Sequence, residues 1–164
     1  MRRIVRPGWT LLELGTWLGL STRHMLVECR AARIVCVDHW LGSPELAADH
    51  GHLFGLPAYE AFLHYNWEFR ERIVPVRLST ADGLEACARA GLAPDAVYVD
   101  AAHDRESVER DTLDVLARFP GAAVFGDDWD SYGVADGVRA AVDARPDVAC
   151  RDNGKAWWLE RSDG

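Results

Sequence analysis

Long apolar runs and paired cysteines are both missing from this sequence. No apolar run approaches the roughly 20 residues that a membrane-spanning helix needs, and no apolar signal segment follows the basic start. The four cysteines form neither a CxxC pair nor a zinc-type spacing with histidine: Cys29, Cys36, Cys87 and Cys150. We therefore expect a cytoplasmic protein with reduced thiols and no membrane association.

Basic residues are also few, with 18 Lys and Arg against 26 Asp and Glu, which gives a formal net charge of -8. A charge of this sign repels a phosphate backbone, so we do not expect nucleic acid as a partner. Hydrophobic residues make up 49% of the 164 residues, enough for the core of one domain over residues 1–164.

Apolar, β-rich runs alternate with stretches of helical periodicity, a pattern typical of a parallel α/β sheet. The predicted strands are Thr10–Leu14, Ile34–Val37, Ile73–Leu78, Ala96–Val99 and Ala122–Phe125. The predicted helices are Ser21–Ala32, capped by Ser21, and Ala58–Arg72, Ala81–Ala90, Arg105–Arg118 and Val134–Ala144. An Asn153-Gly154 turn signal joins two last strands, Asp147–Arg151 and Ala156–Glu160. The expected fold is a doubly wound, mostly parallel seven-stranded sheet that ends in an antiparallel hairpin.

In such a fold, ligands bind at the carboxyl ends of the strands. The first predicted strand ends in a glycine turn with G-x-x-x-G spacing, at Gly15 and Gly19. This spacing lacks the G-x-G-x-x-G of nicotinamide-binding folds and the Gly-Lys-Ser/Thr of a phosphate loop. A glycine turn before a helix start suits a carboxylate ligand, although it is as often a plain tight connection. Asp38 ends the second strand, where it is placed to accept hydrogen bonds from ribose hydroxyls.

Carboxylates follow two further strands, at Asp100 and at Asp127-Asp128. Carboxylates brought together repel one another unless a proton or a cation lies between them. Ligation by Asp100, Asp127 and Asp128 would suit magnesium, with calcium or manganese as substitutes. The alternative is that these residues cap helices or face solvent. His103 is a candidate metal ligand or proton carrier, but a lone histidine at a strand end is more often structural.

These motifs together resemble the class I methyltransferases, in particular the metal-dependent macrolide-sugar and aminocoumarin O-methyltransferases. The resemblance rests on Glu13-x-Gly15-x-x-x-Gly19-x-Ser21, Asp38-x-Trp40-x-Gly42, Val99-Asp100-x-x-His103 and Gly126-Asp127-Asp128. It implies that S-adenosylmethionine is the cofactor and that Asp100 and His103 are catalytic. It also implies a magnesium ion at Asp100, Asp127 and Asp128. The cofactor residues that it implies are Glu13, Gly15, Thr16, Gly19, Ser21, Asp38, His39, Ser79, Thr80 and Asp100.

The sequence departs from this family at its start, because the first strand begins almost at once where relatives carry N-terminal helices over the active site. The substrate class therefore stays open. A partner subunit, or a second copy of the chain in a homo-oligomer, is one candidate for the part that covers the active site. The irregular segment from His39 to Pro57 is a candidate lid or substrate loop.

The leading hypothesis is a metal-dependent O-methyltransferase for a hydroxylated small molecule, a sugar or a phenolic compound of secondary metabolism. Two alternatives remain open. One is an enzyme that uses S-adenosylmethionine without metal, for N-methylation or a non-methylating reaction. The other is a non-catalytic, cofactor-binding partner subunit.

Overall fold

The computed structural model of the chain describes residues 1, 4–42 and 57–161, and it leaves out the side chain of Tyr132. Its strands are β1 (Thr10–Leu14), β2 (Arg33–Asp38), β3 (Ile73–Arg77), β4 (Ala96–Val99), β5 (Ala123–Gly126), β6 (Val148–Asp152) and β7 (Trp157–Arg161). Its helices are α1 (Leu20–Val27), α2 (Ala58–Tyr65), α3 (Thr80–Arg89), α4 (Arg105–Arg118) and α5 (Tyr132–Asp143), with a short 3-10 turn at Trp67–Phe69. Most of the predicted lid, residues 43–56, lies outside the described residues.

The seven strands form one sheet in the order β3-β2-β1-β4-β5-β7-β6. Strands β1 to β5 pair in parallel, whereas β7 is antiparallel to both β5 and β6. The order reverses direction between β1 and β4, which is where open sheets of this kind hold their ligands. The structure confirms the predicted doubly wound sheet with its terminal hairpin.

The two faces of the sheet bury alternate residues of each strand, as the two-residue period of a strand requires. On one face, Leu12, Val35 and Val97 pack in the cluster that includes the buried side chains of α3, α4 and α5. On the other face, Leu11 and Ile34 pack in the cluster that includes the buried residues of α1 and α2. Helices on both faces make the sheet a buried middle layer.

Two helices are shorter than predicted, for local reasons. Helix α1 ends at Val27 because Arg30, at φ 56°, turns the chain and the Ala31 N–H bonds to the carbonyl of Met25. Helix α2 ends at Tyr65 because the side chain of Asn66 donates to the carbonyls of Phe62 and Leu18. An amide side chain that competes for helix carbonyls favours a helix end.

The predicted cap at Ser21 is wrong. Helix α1 begins at Leu20, its cap position is Gly19, and no side chain caps it. Within the described part of the chain, no helix combines the length and apolar character needed to cross a membrane.

The packing of α5 on α4 depends on the absence of a side chain at Gly137. A Cβ atom there would lie 2.6 Å from the carbonyl oxygen of Arg105 and 2.7 Å from Cβ of Val108. We expect Gly137→Ala to lower the free energy of unfolding by about 1–3 kcal/mol through overpacking. This loss should appear although alanine is the better helix former by about 1 kcal/mol.

Urea unfolding followed by circular dichroism measures this effect. The control is Gly121→Ala, where no atom lies within 4 Å of an added Cβ, and we expect a change within about 0.5 kcal/mol. Equal stabilities of the two variants would contradict the close α4–α5 contact.

Candidate active site

A cavity of about 730 Å³ opens at the carboxyl edge of the parallel strands. This volume is in the range of small-molecule and cofactor sites, about 300–1,000 Å³. Most of the predicted site residues line it: Gly15, Thr16, Ser21, Asp38, His39, Thr80, Asp100, His103, Asp127 and Asp128. Glu13, Gly19 and Ser79 are not among the lining residues.

The glycine turn after β1 is held against two neighbouring elements. Gly15 has φ 79°, and a Cβ atom there would lie 2.2 Å from the carbonyl oxygen of Asp100. Gly19 has φ 78°, and a Cβ atom there would lie 2.5 Å from Nδ2 of Asn66. Both positions need glycine for its conformation and for its size. The turn therefore brings the end of β1 directly against the end of β4.

Glu13 lies buried beneath the cavity floor and has no exposed surface. Its carboxylate accepts hydrogen bonds from the hydroxyls of Ser21 and Thr22 on α1, and Sγ of Cys36 lies 3.6 Å from Oε2. Burial raises its pKa to about 7, although the two hydroxyls oppose the shift. Glu13 does not itself line the cavity, but it accepts a hydrogen bond from Ser21, which does.

Asp38 ties the glycine turn to β2. Its Oδ2 atom accepts from the backbone N–H groups of Thr16 and Trp17 at 2.9 and 2.8 Å. Its Oδ1 atom accepts from the N–H of Trp40 at 2.6 Å. The side chain is 15% exposed, at the cavity wall. The position fits the predicted contact with a ribose, which remains a prediction.

At the other end of the cavity, the structure brings Asp100, His103 and Asp128 together. One ligand atom from each lies within 4.8 Å of the other two. Nε2 of His103 is 2.9 Å from Oδ2 of Asp128, close to the ~3 Å expected between two adjacent ligands at about 2.1 Å from one ion. Asp127 lines the cavity but is not part of this group. The three donors are of types that a divalent cation accepts, and the predicted ligand set of Asp100, Asp127 and Asp128 remains a prediction.

The carboxyl of Asp100 has an unusually high pKa because of its surroundings. Burial raises its pKa to about 7, and the negative charge of Asp128 adds to the shift. A hydrogen bond from the phenol of Tyr98 opposes the shift. In the chain without a bound cation, this carboxyl is therefore partly protonated near neutral pH.

Tyr98 and Gly133 are site residues that were not predicted from the sequence. Tyr98 is buried, lines the cavity and lies against Phe125 with ring centroids 5.1 Å apart. The two-residue period of β4 places it on the same face as Asp100, a signal present in the sequence. Gly133 begins α5, and a Cβ atom there would lie 1.9 Å from the carbonyl oxygen of His103. The sequence alone does not show that contact, because it joins two segments that are distant along the chain.

The cofactor end of the cavity fits the donor set that S-adenosylmethionine needs. Oγ1 of Thr16 is buried, and its contact with the thiol of Cys36 is at most a weak hydrogen bond. A hydroxyl in that state is available to a polar group of a ligand. Asp38 and Thr80 also line the cavity, so its lining extends from the glycine turn to the start of α3.

The buried carboxyl of Glu13 makes stability depend on pH. Its pKa is about 7 in the folded chain against an ordinary 4.5. Between these values the folded chain binds more protons than the unfolded chain, so the free energy of unfolding falls as the pH rises. The difference corresponds to roughly 3 kcal/mol. We expect Glu13→Gln to make the fall between pH 4.5 and pH 7 smaller by about this amount.

Urea unfolding at several pH values across this window tests the expectation. Glu60→Gln on the exposed side of α2 is the control, and it should reproduce the wild-type dependence. A Glu13→Gln chain with the wild-type dependence would show that Glu13 ionises normally in the fold.

The fold is similar to that of known proteins. A family model described as a methyltransferase domain matches residues 12–129. No curated protein matches the chain. A putative methyltransferase from Thermoplasma acidophilum is 14% identical with a TM-score of 0.61, over 90% of this chain and 55% of that chain. Cofactor-bound Rv0187 from MTB is 17% identical with a TM-score of 0.65, over 92% and 71%.

CalS11, a TDP-rhamnose 3'-O-methyltransferase of calicheamicin biosynthesis, is 15% identical with a TM-score of 0.53, over 92% of this chain and 70% of that chain. The chain thus spans between about half and three quarters of the length of these three structures. At these identities the likeness concerns the fold, whereas the family match covers most of the chain. The chain therefore belongs to the methyltransferase domain family, and its fold is that of the class I S-adenosylmethionine-dependent methyltransferases.

Proposed function

We propose that this chain transfers a methyl group from S-adenosylmethionine to a hydroxyl oxygen of a small molecule. A divalent cation, preferably magnesium, would bind beside that acceptor hydroxyl. The observation that carries the proposal is a single cavity with two kinds of lining. The glycine turn before α1 lines one part of it, and Asp100, His103 and Asp128 line another.

At the cofactor end, we place the amino-acid part of the cofactor at Gly15, Thr16 and Ser21. The buried hydroxyl of Thr16, which has at most a weak partner in Cys36, supports this placement, as does Ser21 at the start of α1. Asp38 and His39 would contact the ribose. The adenine would lie near Thr80, with Ser79 behind it as the cap of α3. Glu13 and Gly19 would act by holding this turn in shape.

Bound S-adenosylmethionine would supply a methyl group that its sulfonium makes electrophilic. The protein must then align an acceptor oxygen and remove its proton. Asp100 is the candidate base because it lines the cavity beside His103 and Asp128. In the chain without a cation, burial raises the pKa of its carboxyl to about 7, and a bound cation would favour its ionised form. His103 lies beside it and is held in place through Gly133.

Asp100 and Asp128 would hold a divalent cation, with Asp127 and His103 as further ligands. Such a cation would lower the pKa of an acceptor hydroxyl and fix its oxygen. The O-methyltransferase among the structures of like fold supports a hydroxyl acceptor. The net charge of -8 favours a small molecule over a nucleic acid.

A second candidate function uses no metal, and the contact of His103 with Asp128 favours it. At 2.9 Å, the carboxylate can accept a hydrogen bond from the imidazole and orient the ring. Such a pair can take a proton from an acceptor hydroxyl or amine without a cation.

Cofactor binding is the first test. Calorimetric titration of the purified chain with S-adenosylmethionine, with and without magnesium, should give binding in both conditions. We expect Thr16→Val to weaken binding by about tenfold, because the variant leaves a ligand group unpaired in a buried site. Val27→Thr, on the exposed side of α1, is the control. No binding by the wild-type chain in either condition would refute the proposal.

Metal binding is the second test, and it needs no acceptor. Binding of Mn²⁺, followed by the loss of its free-ion signal in electron paramagnetic resonance, should weaken at least tenfold in Asp128→Asn. Asp130→Asn is the control, since Asp130 is the next carboxylate along the chain and pairs with Lys155. Wild-type binding of Mn²⁺ by Asp128→Asn would place the cation elsewhere. S-adenosylmethionine binding without any Mn²⁺ binding would favour the metal-free candidate.

A further inference from the structure

A buried amide side chain behind the glycine turn has no part in the methyl-transfer scheme. Asn66 follows the end of α2 and is 3% exposed. Its Nδ2 atom donates hydrogen bonds to the carbonyls of Leu18, at 2.9 Å, and Phe62, at 2.8 Å. Its Oδ1 atom is buried and has no hydrogen-bond partner in the described part of the chain. The fold therefore keeps the two donated bonds although the amide oxygen, a group that is nearly always paired when buried, stays unpaired.

The neighbours of this amide fix its orientation. If the oxygen and the nitrogen of the Asn66 amide were exchanged, an acceptor would face both carbonyls, and both contacts would become repulsive. The side chain also lies over Gly19, where a Cβ atom would be 2.5 Å from Nδ2 of Asn66 and 2.9 Å from Cε2 of Phe62. Asn66 thus holds the turn by a hydrogen bond to Leu18 and by close contact at Gly19.

The bond to Leu18 determines which backbone groups of α1 stay free. In the described part of the chain, no backbone N–H donates to the Leu18 carbonyl, and the N–H groups of residues 20–22 make no hydrogen bond. In a continuous helix, the Thr22 N–H would bond to the carbonyl four residues back, which is that of Leu18. Asn66 binds that carbonyl instead, and Gly19, at φ 78°, begins the helix beyond it.

The free N–H groups lie at the cavity. The first N–H groups of a helix point out of its N-terminal end and favour an anion there. Leu20 and Ser21, at that end of α1, line the cavity together with Gly15 and Thr16. Under the proposed function, on which this inference rests, the carboxylate of the cofactor's amino-acid part binds here.

We propose that Asn66 is a positioning residue for the cofactor, because it holds the Leu18 carbonyl outside α1 and so keeps the first N–H groups of the helix open to the carboxylate. Without the amide, the Leu18 carbonyl would lose its partner and could take the Thr22 N–H instead. Gly19 has no side chain to oppose a change to helical dihedral angles. Helix α1 would then begin one residue earlier, and its free N–H groups would move by about 1.5 Å along the axis.

The test compares two ligands by calorimetric titration: S-adenosylhomocysteine, which has the amino-acid part, and 5'-methylthioadenosine, which lacks it. The wild-type chain should bind S-adenosylhomocysteine more tightly. Asn66→Leu keeps the branched shape of the side chain but has no donor. We expect it to weaken the binding of S-adenosylhomocysteine about tenfold and to leave that of 5'-methylthioadenosine within about twofold of wild type.

Asn66→Ser is the second variant, and it decides the matter if Asn66→Leu does not fold by circular dichroism. Its hydroxyl can donate to the carbonyl of Phe62 on the same helix, but it is too short to reach that of Leu18. The same selective loss is therefore expected. The control is Gly137→Ala, which disturbs the α4–α5 contact away from the turn. It should leave the ratio of the two affinities at the wild-type value, because a general loss of stability weakens both ligands alike.

Equal losses for the two compounds in the Asn66 variants would show a purely structural role and overturn the inference. So would wild-type binding of S-adenosylhomocysteine by these variants, or equal affinities of the wild-type chain for the two compounds. Absence of binding of either compound to the wild-type chain is a different result. It would refute the proposed function, and the inference would fall with it.

Discussion

The site depends on one close contact, between the backbone of Gly15 and the backbone at the end of β4. With a Cβ atom at Gly15 only 2.2 Å from the carbonyl oxygen of Asp100, no other residue fits without moving β1 and β4 apart. The Asp100 N–H also bonds to the carbonyl of Leu14, and the Gly15 N–H bonds to the carbonyl of Val37. The turn at the cofactor end and the carboxylate at the acceptor end are therefore parts of one hydrogen-bonded corner, and neither can shift without the other.

Two buried carboxyl groups at this corner, those of Glu13 and Asp100, have raised pKa values. Glu13 and Asp100 are both withdrawn from water, and burial is the largest cause of the raised pKa of each. The charge of Asp100 adds to the shift of Glu13. Two carboxyls with pKa values of about 7 in one site are costly to keep ionised, unless a positive group is bound nearby. Hydrogen bonds from the hydroxyls of Ser21 and Thr22 offset part of this free-energy cost for Glu13.

Much of this fold was predictable from periodicity, because β1, β4 and α4 begin and end at the predicted residues. What could not be predicted came from contacts between distant segments. The end of α2 depends on the side chain of Asn66 reaching the carbonyl of Leu18, 48 residues away. At the site, the strand ends predicted that Asp100 and Asp128 line one cavity, which they do, whereas their role stays a prediction. The spacing could not show that His103 joins them in one group, because that depends on how the loop after β4 folds.

The two ends of the cavity are held by different parts of the chain. Contacts from Glu13, Asp38 and Asn66 shape the glycine turn, so the N-terminal half of the chain determines the cofactor end. The acceptor end depends on the C-terminal half. Gly133 fixes the loop of His103, and the N–H of Trp129 bonds to the carbonyl of Lys155 in the hairpin between β6 and β7. Because Gly15 and Asp100 are in direct backbone contact, a shift of the backbone at either end of the cavity is transmitted to the other end.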